Sequence, residues 1–191
     1  MLKQKKGSTS ARSPRFDYRV KAGARRDGFT LIELLVVIAI IGLLASVVLV
    51  SLNGARIKAR NTQRKATLSQ LQKALELYYN DNNAYPSSGG TWRSSEAGDT
   101  NVTPDPTNYI PGLVPNYVSK LPADPKGGPS SNPVCGATWM SAFLYNSDTV
   151  NYKLLSHCAP EGSWTSSDTF YDSVRPIHAW QVSTPAVTNV W

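Results

Sequence analysis

One carboxylate, Glu33, stands at the head of nineteen uncharged residues, Leu34 to Leu52 (LLVVIAIIGLLASVVLVSL). Taking a carboxylate out of water into a low-dielectric medium disfavours its charged form unless a partner compensates. The spacing suggests that partner. If the chain is cut after Gly28, the new α-amine of Phe29 lies about one helical turn from Glu33. In a stack of parallel helices the amine of one subunit then meets the carboxylate of its neighbour, and each charge satisfies the other inside an apolar bundle. The bland alternative is a glutamate that snorkels to the membrane interface. Gly28 suits a cut, because a protease beside a membrane needs an extended, unhindered backbone and glycine has no Cβ. Alone, it would read as a helix breaker.

Other residues with chemical potential lie far downstream. Cys135 and Cys158 both fall in the segment read as exported, which suggests a disulfide closing a loop worth roughly 3 kcal/mol by the chain-entropy estimate. Free or metal-binding thiols are the competing reading. His157 adjoins Cys158, but no C-x-x-C partner and no second histidine at ligand spacing supports zinc. There is no G-x-S-x-G, no H-E-x-x-H and no phosphate loop. His178, between Ile177 and Ala179, reads as a strand residue with a satisfied hydrogen bond. An enzyme is not expected.

The elements that position these residues begin with charge. Nine of the twenty basic residues precede Phe29 (Lys3, Lys5, Lys6, Arg12, Arg15, Arg19, Lys21, Arg25, Arg26), against Asp17 and Asp27. Residues 1–28 therefore carry the chain's whole net charge of +7, and the rest sums to zero. That argues against a nucleic-acid-binding face on the remainder. The uncharged run, as a helix, spans about 28 Å, close to one bilayer core. Basic residues upstream orient its N-terminus to the cytoplasm, although Arg56, Lys58, Arg60, Arg64 and Lys65 follow it. An ordinary secretory signal has a shorter apolar core, and the nearest small-residue cleavage site, Asn53-Gly54-Ala55, is poor.

Helical patterning continues past the run. Ile57, Leu68, Leu71, Leu75 and Tyr78 fall on one stripe, with Arg60, Arg64, Gln72, Lys73 and Glu76 read as lying elsewhere around the helix. No proline intervenes between Phe29 and Ala84, so one helix of some 50 residues, about 75–80 Å, is expected. The alternative is an anchor and a separate helix broken at Asn53-Gly54. Composition then changes: twelve of thirteen prolines and all five tryptophans lie beyond residue 85. Residues 86–112 read as a surface loop, and 113–121 as a helical turn or two. Ser141–Tyr145 and Val150–Leu155, separated by Asn146-Ser147-Asp148-Thr149, read as a hairpin. A third strand is expected at 169–171 or 177–182. Each tryptophan reads as packing, not as a ligand platform.

The residues G-F-T-L-I-E-L-L-V-V-I-A-I-I-G-L-L-A, from Gly28 to Ala45, resemble the class III signal and first helix of type IV pilins and of type II secretion pseudopilins. The resemblance implies that a prepilin peptidase cuts after Gly28 and methylates Phe29, and that Glu33 is the assembly carboxylate. The order N-D-N-N-A-Y-P, Y-V-S-K-L-P-A-D-P-K-G-G, F-L-Y and V-N-Y-K-L is similar to the major pseudopilin of type II secretion. That family usually has L-P-x-D-P-W-G; here Lys126 stands in place of the tryptophan, and a cysteine-containing loop precedes the strands. Some pseudopilin heads bind calcium after the D-P motif. Asp124 is the position that corresponds, with Ser147 and Asp148 conceivable neighbours, although Asp124 also reads as a simple turn former beside Pro125 and no cofactor is required.

The expectation is an α+β, pilin-like fold in which the second half of a long N-terminal helix packs on a small antiparallel sheet. Residues 1–28 form a basic leader, 29–52 a transmembrane and filament-core helix, 53–84 its amphipathic continuation, and 85–191 an exported head. The expected role is a structural subunit of a type IV pilus-like filament or secretion pseudopilus. Its partners are prepilin peptidase, copies of itself and other pilins or pseudopilins, and an inner-membrane assembly platform. It sits first as a single-pass protein of the cytoplasmic membrane, then in an extracellular or periplasmic filament. The alternative is a membrane-anchored exported binding or adhesion domain.

Overall fold

The computed structural model describes residues 28–136 and 138–191. Apart from Gly28, the expected basic leader lies outside the described residues. The first element, α1, is a single helix, Leu31–Asn82, that runs through Asn53 and Gly54 without the break that was the alternative. It ends where the N–H of Asn83, at φ +53°, donates to the Tyr79 carbonyl at 2.8 Å. The Asn82 side chain caps a second carbonyl, that of Tyr78, at 2.9 Å. Asparagine tolerates the left-handed conformation that such a stop requires.

The chain forms two compact units, Met1–Leu44 and Ala45–Trp191. Every described residue of the first is exposed, from Phe29 at 75% through Leu31 at 88%. This part of α1 is apolar on all sides and buries none of it, the pattern of a helix whose partners lie outside the chain.

The second unit holds five strands: β1 (Arg93–Ser94), β2 (Thr103–Pro104), β3 (Ala142–Ser147), β4 (Tyr152–His157) and β5 (Ala179–Ser183). Their order is β2-β1-β3-β4-β5. The expected hairpin is β3–β4, with Tyr145 opposite Leu154 and Leu144 opposite Leu155. The third strand, β5, falls at the second of the two expected places, and Tyr171 contributes only an isolated bridge to Trp180. The sheet is mixed and not purely antiparallel, because β1 and β2 run parallel across the loop that joins them.

Strand periodicity sorts side chains to two faces. Phe143, Tyr145, Tyr152, Leu154 and Trp180 meet Leu68, Leu71, Ala74 and Leu75 of α1 in the main core. Ala142, Leu144 and Leu155 point the other way, against Trp92, Val102 and Met140. With both faces covered, every residue of β4 is buried. That includes Lys153, whose ammonium reaches Asp172 at 3.3 Å and the carbonyls of Thr188 and Trp191 at 3.1 and 2.6 Å. Burial lowers its pKa, and the Asp172 carboxylate opposes that shift.

The stretch 86–112 is not merely a surface loop. It supplies β1 and β2, and it buries Tyr109 and Ile110 completely. The Tyr109 hydroxyl is satisfied there by the Pro122 carbonyl at 2.8 Å. Serine, glycine and proline around these two residues mask their weight in any average over the segment.

Candidate processing and assembly site, and the anchor of the head

At the start of α1, Gly28 to Thr30 are non-helical and exposed, so the Gly28–Phe29 bond sits in open chain. Among the described residues beyond its chain neighbours, no atom lies within 4 Å of where a Cβ on Gly28 would be. Thr30 and Glu33 bond reciprocally. One Glu33 carboxylate oxygen accepts from the Thr30 N–H at 2.8 Å and from its hydroxyl at 2.6 Å, while Thr30 Oγ1 accepts from the Glu33 N–H at 3.2 Å. This is a capping box, T-x-x-E, which satisfies amides that the first helical turn leaves unpaired. The motif is legible in the sequence as Thr30-Leu31-Ile32-Glu33, where the same carboxylate serves both as a cap and as a charge. The other carboxylate oxygen takes no hydrogen bond among the described residues. Phe29 lies at the same end of the helix, three-quarters exposed.

Within the second unit, the head is tied to α1 by ion pairs. Arg64 is fully buried and forms a two-pronged pair with Asp124, Nε to Oδ2 at 2.8 Å and Nη2 to Oδ1 at 2.9 Å. Asp124 Oδ1 also accepts from the N–H groups of Lys126 and Gly127, at 2.9 and 3.2 Å. Glu161 takes Arg60 at 2.5 Å and Arg64 at 3.1 Å. Those bonds, that from Arg60 foremost, hold its carboxyl below the usual carboxylate range. Lys65 pairs with Asp168 at 2.5 Å and lies 4.5 Å from the centre of the Trp180 ring. Geometry of this kind fixes register, since a guanidinium facing a carboxylate in two bonds tolerates little slip.

These contacts overturn the placement of Arg60 and Arg64 away from the packed stripe. Arg64 precedes Leu68 by four residues, which puts it on the same helical face one turn below. The spacing was visible; the residue type concealed it. The contacts also explain Asp124. Its carboxylate is engaged by Arg64 and by two backbone amides of the turn, so it neutralises a buried cation. Ser147 and Asp148, its conceivable neighbours at a calcium site, instead shape the hairpin loop, with Asp148 accepting from the Asn151 N–H at 2.6 Å. Among the described residues no group of three or more His, Cys, Asp or Glu side chains converges on one point.

Cys135 and Cys158 are joined, with Cα atoms 5.9 Å apart, and the bridge fastens the 129–135 loop beside the end of β4. The fold also brings together the two histidines that sequence spacing kept apart, with ring centres 5.3 Å apart. His157 is buried under Trp139, and burial lowers its pKa to about 3. His178 precedes β5 and is not a satisfied strand residue, since its Nδ1 is buried without a partner among the described residues.

A family model described as the prokaryotic N-terminal methylation motif matches residues 23–49. The chain is 39% identical over 107 residues to the type II secretion system core protein G of Pectobacterium carotovorum subsp. carotovorum, covering 56% of this chain and 66% of that protein. It is 38% identical over 107 residues to the protein of that name from Aeromonas hydrophila, covering 55% and 71%. To that of Escherichia coli (strain K12) it is 37% identical over 113 residues, covering 56% and 72%. No solved structure matches. An open glycine–phenylalanine bond, an uncovered apolar helix and a methylation motif spanning both define a chain of the prepilin class, on a pilin-like α+β fold. Within that class, the chain belongs to the type II secretion system core protein G family. The matches span between 66% and 72% of these relatives' own lengths, so about a third of each lies outside them.

Proposed function

We propose that this chain is a structural subunit of a type II secretion pseudopilus. The observation that carries the reading is the first stretch of α1, apolar on every side and wholly exposed, headed by the residues that the methylation motif matches. Such a surface is stable in a bilayer or in a bundle of like helices, and not in water. The helix is long and apolar enough to cross a membrane. The chain first sits in the cytoplasmic membrane with one pass and its head exported. Prepilin peptidase cuts after Gly28 and methylates Phe29. An assembly platform in that membrane then moves subunits into a periplasmic filament with copies of itself and other pseudopilins. Residues 29–52 make the filament core, 53–84 carry the core into the head, and 85–191 tile the outside. The Phe29 amine of one subunit pairs with Glu33 of the next. The role is structural, not catalytic, and it requires no cofactor.

The test is the N-terminus and mass of the mature protein from the membrane or sheared-filament fraction. A chain beginning with N-methylated Phe29 is the expected result. An intact Met1 in cells with active prepilin peptidase, or a start after Ala55, would overturn it and leave a membrane-tethered or secreted binding domain.

A further inference from the structure

Within the second unit, the last apolar turns of α1, Ala45 to Leu52, lead directly into the part of the helix on which the head is built. Gly54 is two residues past Leu52 and Ile57 is five, so along the axis they stand about 3 Å and 7–8 Å beyond the apolar run. The polar layer on each side of a bilayer is about 5–8 Å deep. Head loops reach down to this level. Gly162 and Trp164 share one cavity with Gly54, Ile57 and Lys58. Asn132 and Pro133 share another with Ile57.

These loops carry apolar side chains that the head does not cover. Val134 is 54% exposed and Ile177 is 57% exposed. They are held side by side through Asn132, whose amide donates to the Ile177 carbonyl at 3.2 Å and whose side-chain oxygen accepts from the Val134 N–H at 3.0 Å. The adjacent disulfide at Cys135 fastens this loop. Charge at the same level has a sign. Of the five cations that follow the apolar run, Arg60, Arg64 and Lys65 are taken by Glu161, Asp124 and Asp168. Arg56 and Lys58 remain exposed, with no carboxylate paired to either among the described residues.

We propose that Val134, Ile177 and the 162–164 loop form a rim that seats the head on the headgroup layer of an anionic bilayer, with Arg56 and Lys58 facing lipid phosphates. The rim is continuous with the membrane-spanning surface. Its mixture of exposed aliphatic residues and cations unpaired among the described residues is the chemistry of an interfacial contact. The proposal rests on the membrane-anchored reading of the chain. It adds an interaction surface that subunits hold before assembly and must release to enter a filament.

A benzophenone amino acid placed at Ile177 tests it, in the full uncleaved chain reconstituted in vesicles of phosphatidylethanolamine and phosphatidylglycerol. The same probe at Val50, inside the apolar run, serves as reference. On irradiation both positions should give lipid adducts, and the Ile177 yield alone should rise with the fraction of anionic lipid. Arg56→Ser with Lys58→Ser should remove that dependence. Lipid adducts at Val50 but none at Ile177 would overturn the rim and leave the membrane reading intact, as would cross-linked subunit pairs from Ile177 in place of lipid adducts. No lipid adduct at Val50 would bring down the membrane reading itself, and the rim with it.

Discussion

The two halves of α1 are built from the same backbone and the same kind of residue, yet they use apolar surface in opposite ways. From Leu31 to Leu52 leucine, isoleucine and valine leave 42% or more of each side chain uncovered. From Leu68 to Leu75 the leucines fall to 1% or less, under the sheet and Tyr109, Ile110 and Leu113. Burial of this kind contributes about 25 cal/mol for each Å² removed from water. In the second half that free energy holds the head together. In the first half it is not yet realised within the chain and is available to a lipid or to another helix. Polar groups follow the same division. Glu33 caps its own helix with one oxygen, and the other takes no hydrogen bond among the described residues, whereas Arg64 is shared by Asp124 and Glu161 and Asp124 is bonded by Arg64 and the adjacent turn.

The contrast can be tested most severely at Glu33. Glu33→Ala should leave cleavage after Gly28 largely intact and abolish fibres in a shearing assay. Glu33→Gln retains a capping acceptor and loses only the charge. If both variants fail to form fibres, the charge matters and not the cap; normal fibres from either would sink the intersubunit pair. In the head, Asp124→Ala removes the two-pronged partner of the buried Arg64 cation and leaves only Glu161 opposite it, with an expected loss of about 3 kcal/mol in denaturant unfolding. Replacing the pair together, Arg64→Met with Asp124→Leu, should recover most of that loss, because both desolvation costs disappear with the charges. Cys135→Ser with Cys158→Ser should cost about 3 kcal/mol, read as a lower unfolding midpoint of the unreduced protein.

The smallest effect is a pH dependence. Burial holds the folded pKa of His157 at about 3, below its usual 6.5. Below 6.5 the unfolded chain therefore takes up a proton that the folded chain refuses. The stability from this site is complete above pH 6.5, declines as pH falls, and is exhausted near pH 3. Between pH 6.5 and 5 the loss is about 2 kcal/mol. His178, also lowered chiefly by burial, adds to the slope. Glu161 acts in the same direction only below about 4.5, which leaves the upper window to the histidines. Thermal unfolding from pH 7.5 to 5 should show this slope in the parent chain and a shallower one in His157→Gln. An unchanged slope would mean that His157 is solvated.

Legibility followed the range of the contacts involved. The helix, the hairpin and the position of β5 rest on local periodicity, and each was legible to within a residue or two at its ends. The motif around Gly28 and Glu33 was equally plain, because its chemistry lies within six consecutive residues. Three features were not. Arg64 reads by residue type as lying off the packed stripe, although its i+4 relation to Leu68 puts it on the buried face. Tyr109 and Ile110 were lost in a polar stretch, since two residues cannot form a periodic pattern. Asp124 looked like a turn former or a cation ligand because its partner lies sixty residues away on α1.

Local pattern in the chain was enough to establish a long helix with an apolar first half, a glycine and a carboxylate at its head, and a head domain with a hairpin. Each follows from residue spacing, since neighbours in sequence are neighbours on a helix or strand whatever the rest of the chain does. Tertiary structure alone decided which cations are spent and which are free, which face of β4 receives Lys153, and that two histidines share a pocket. Those outcomes depend on segments from about twenty to a hundred residues apart, and desolvation makes them matter: a charge without its distant partner is tolerable at the surface and costly in the core.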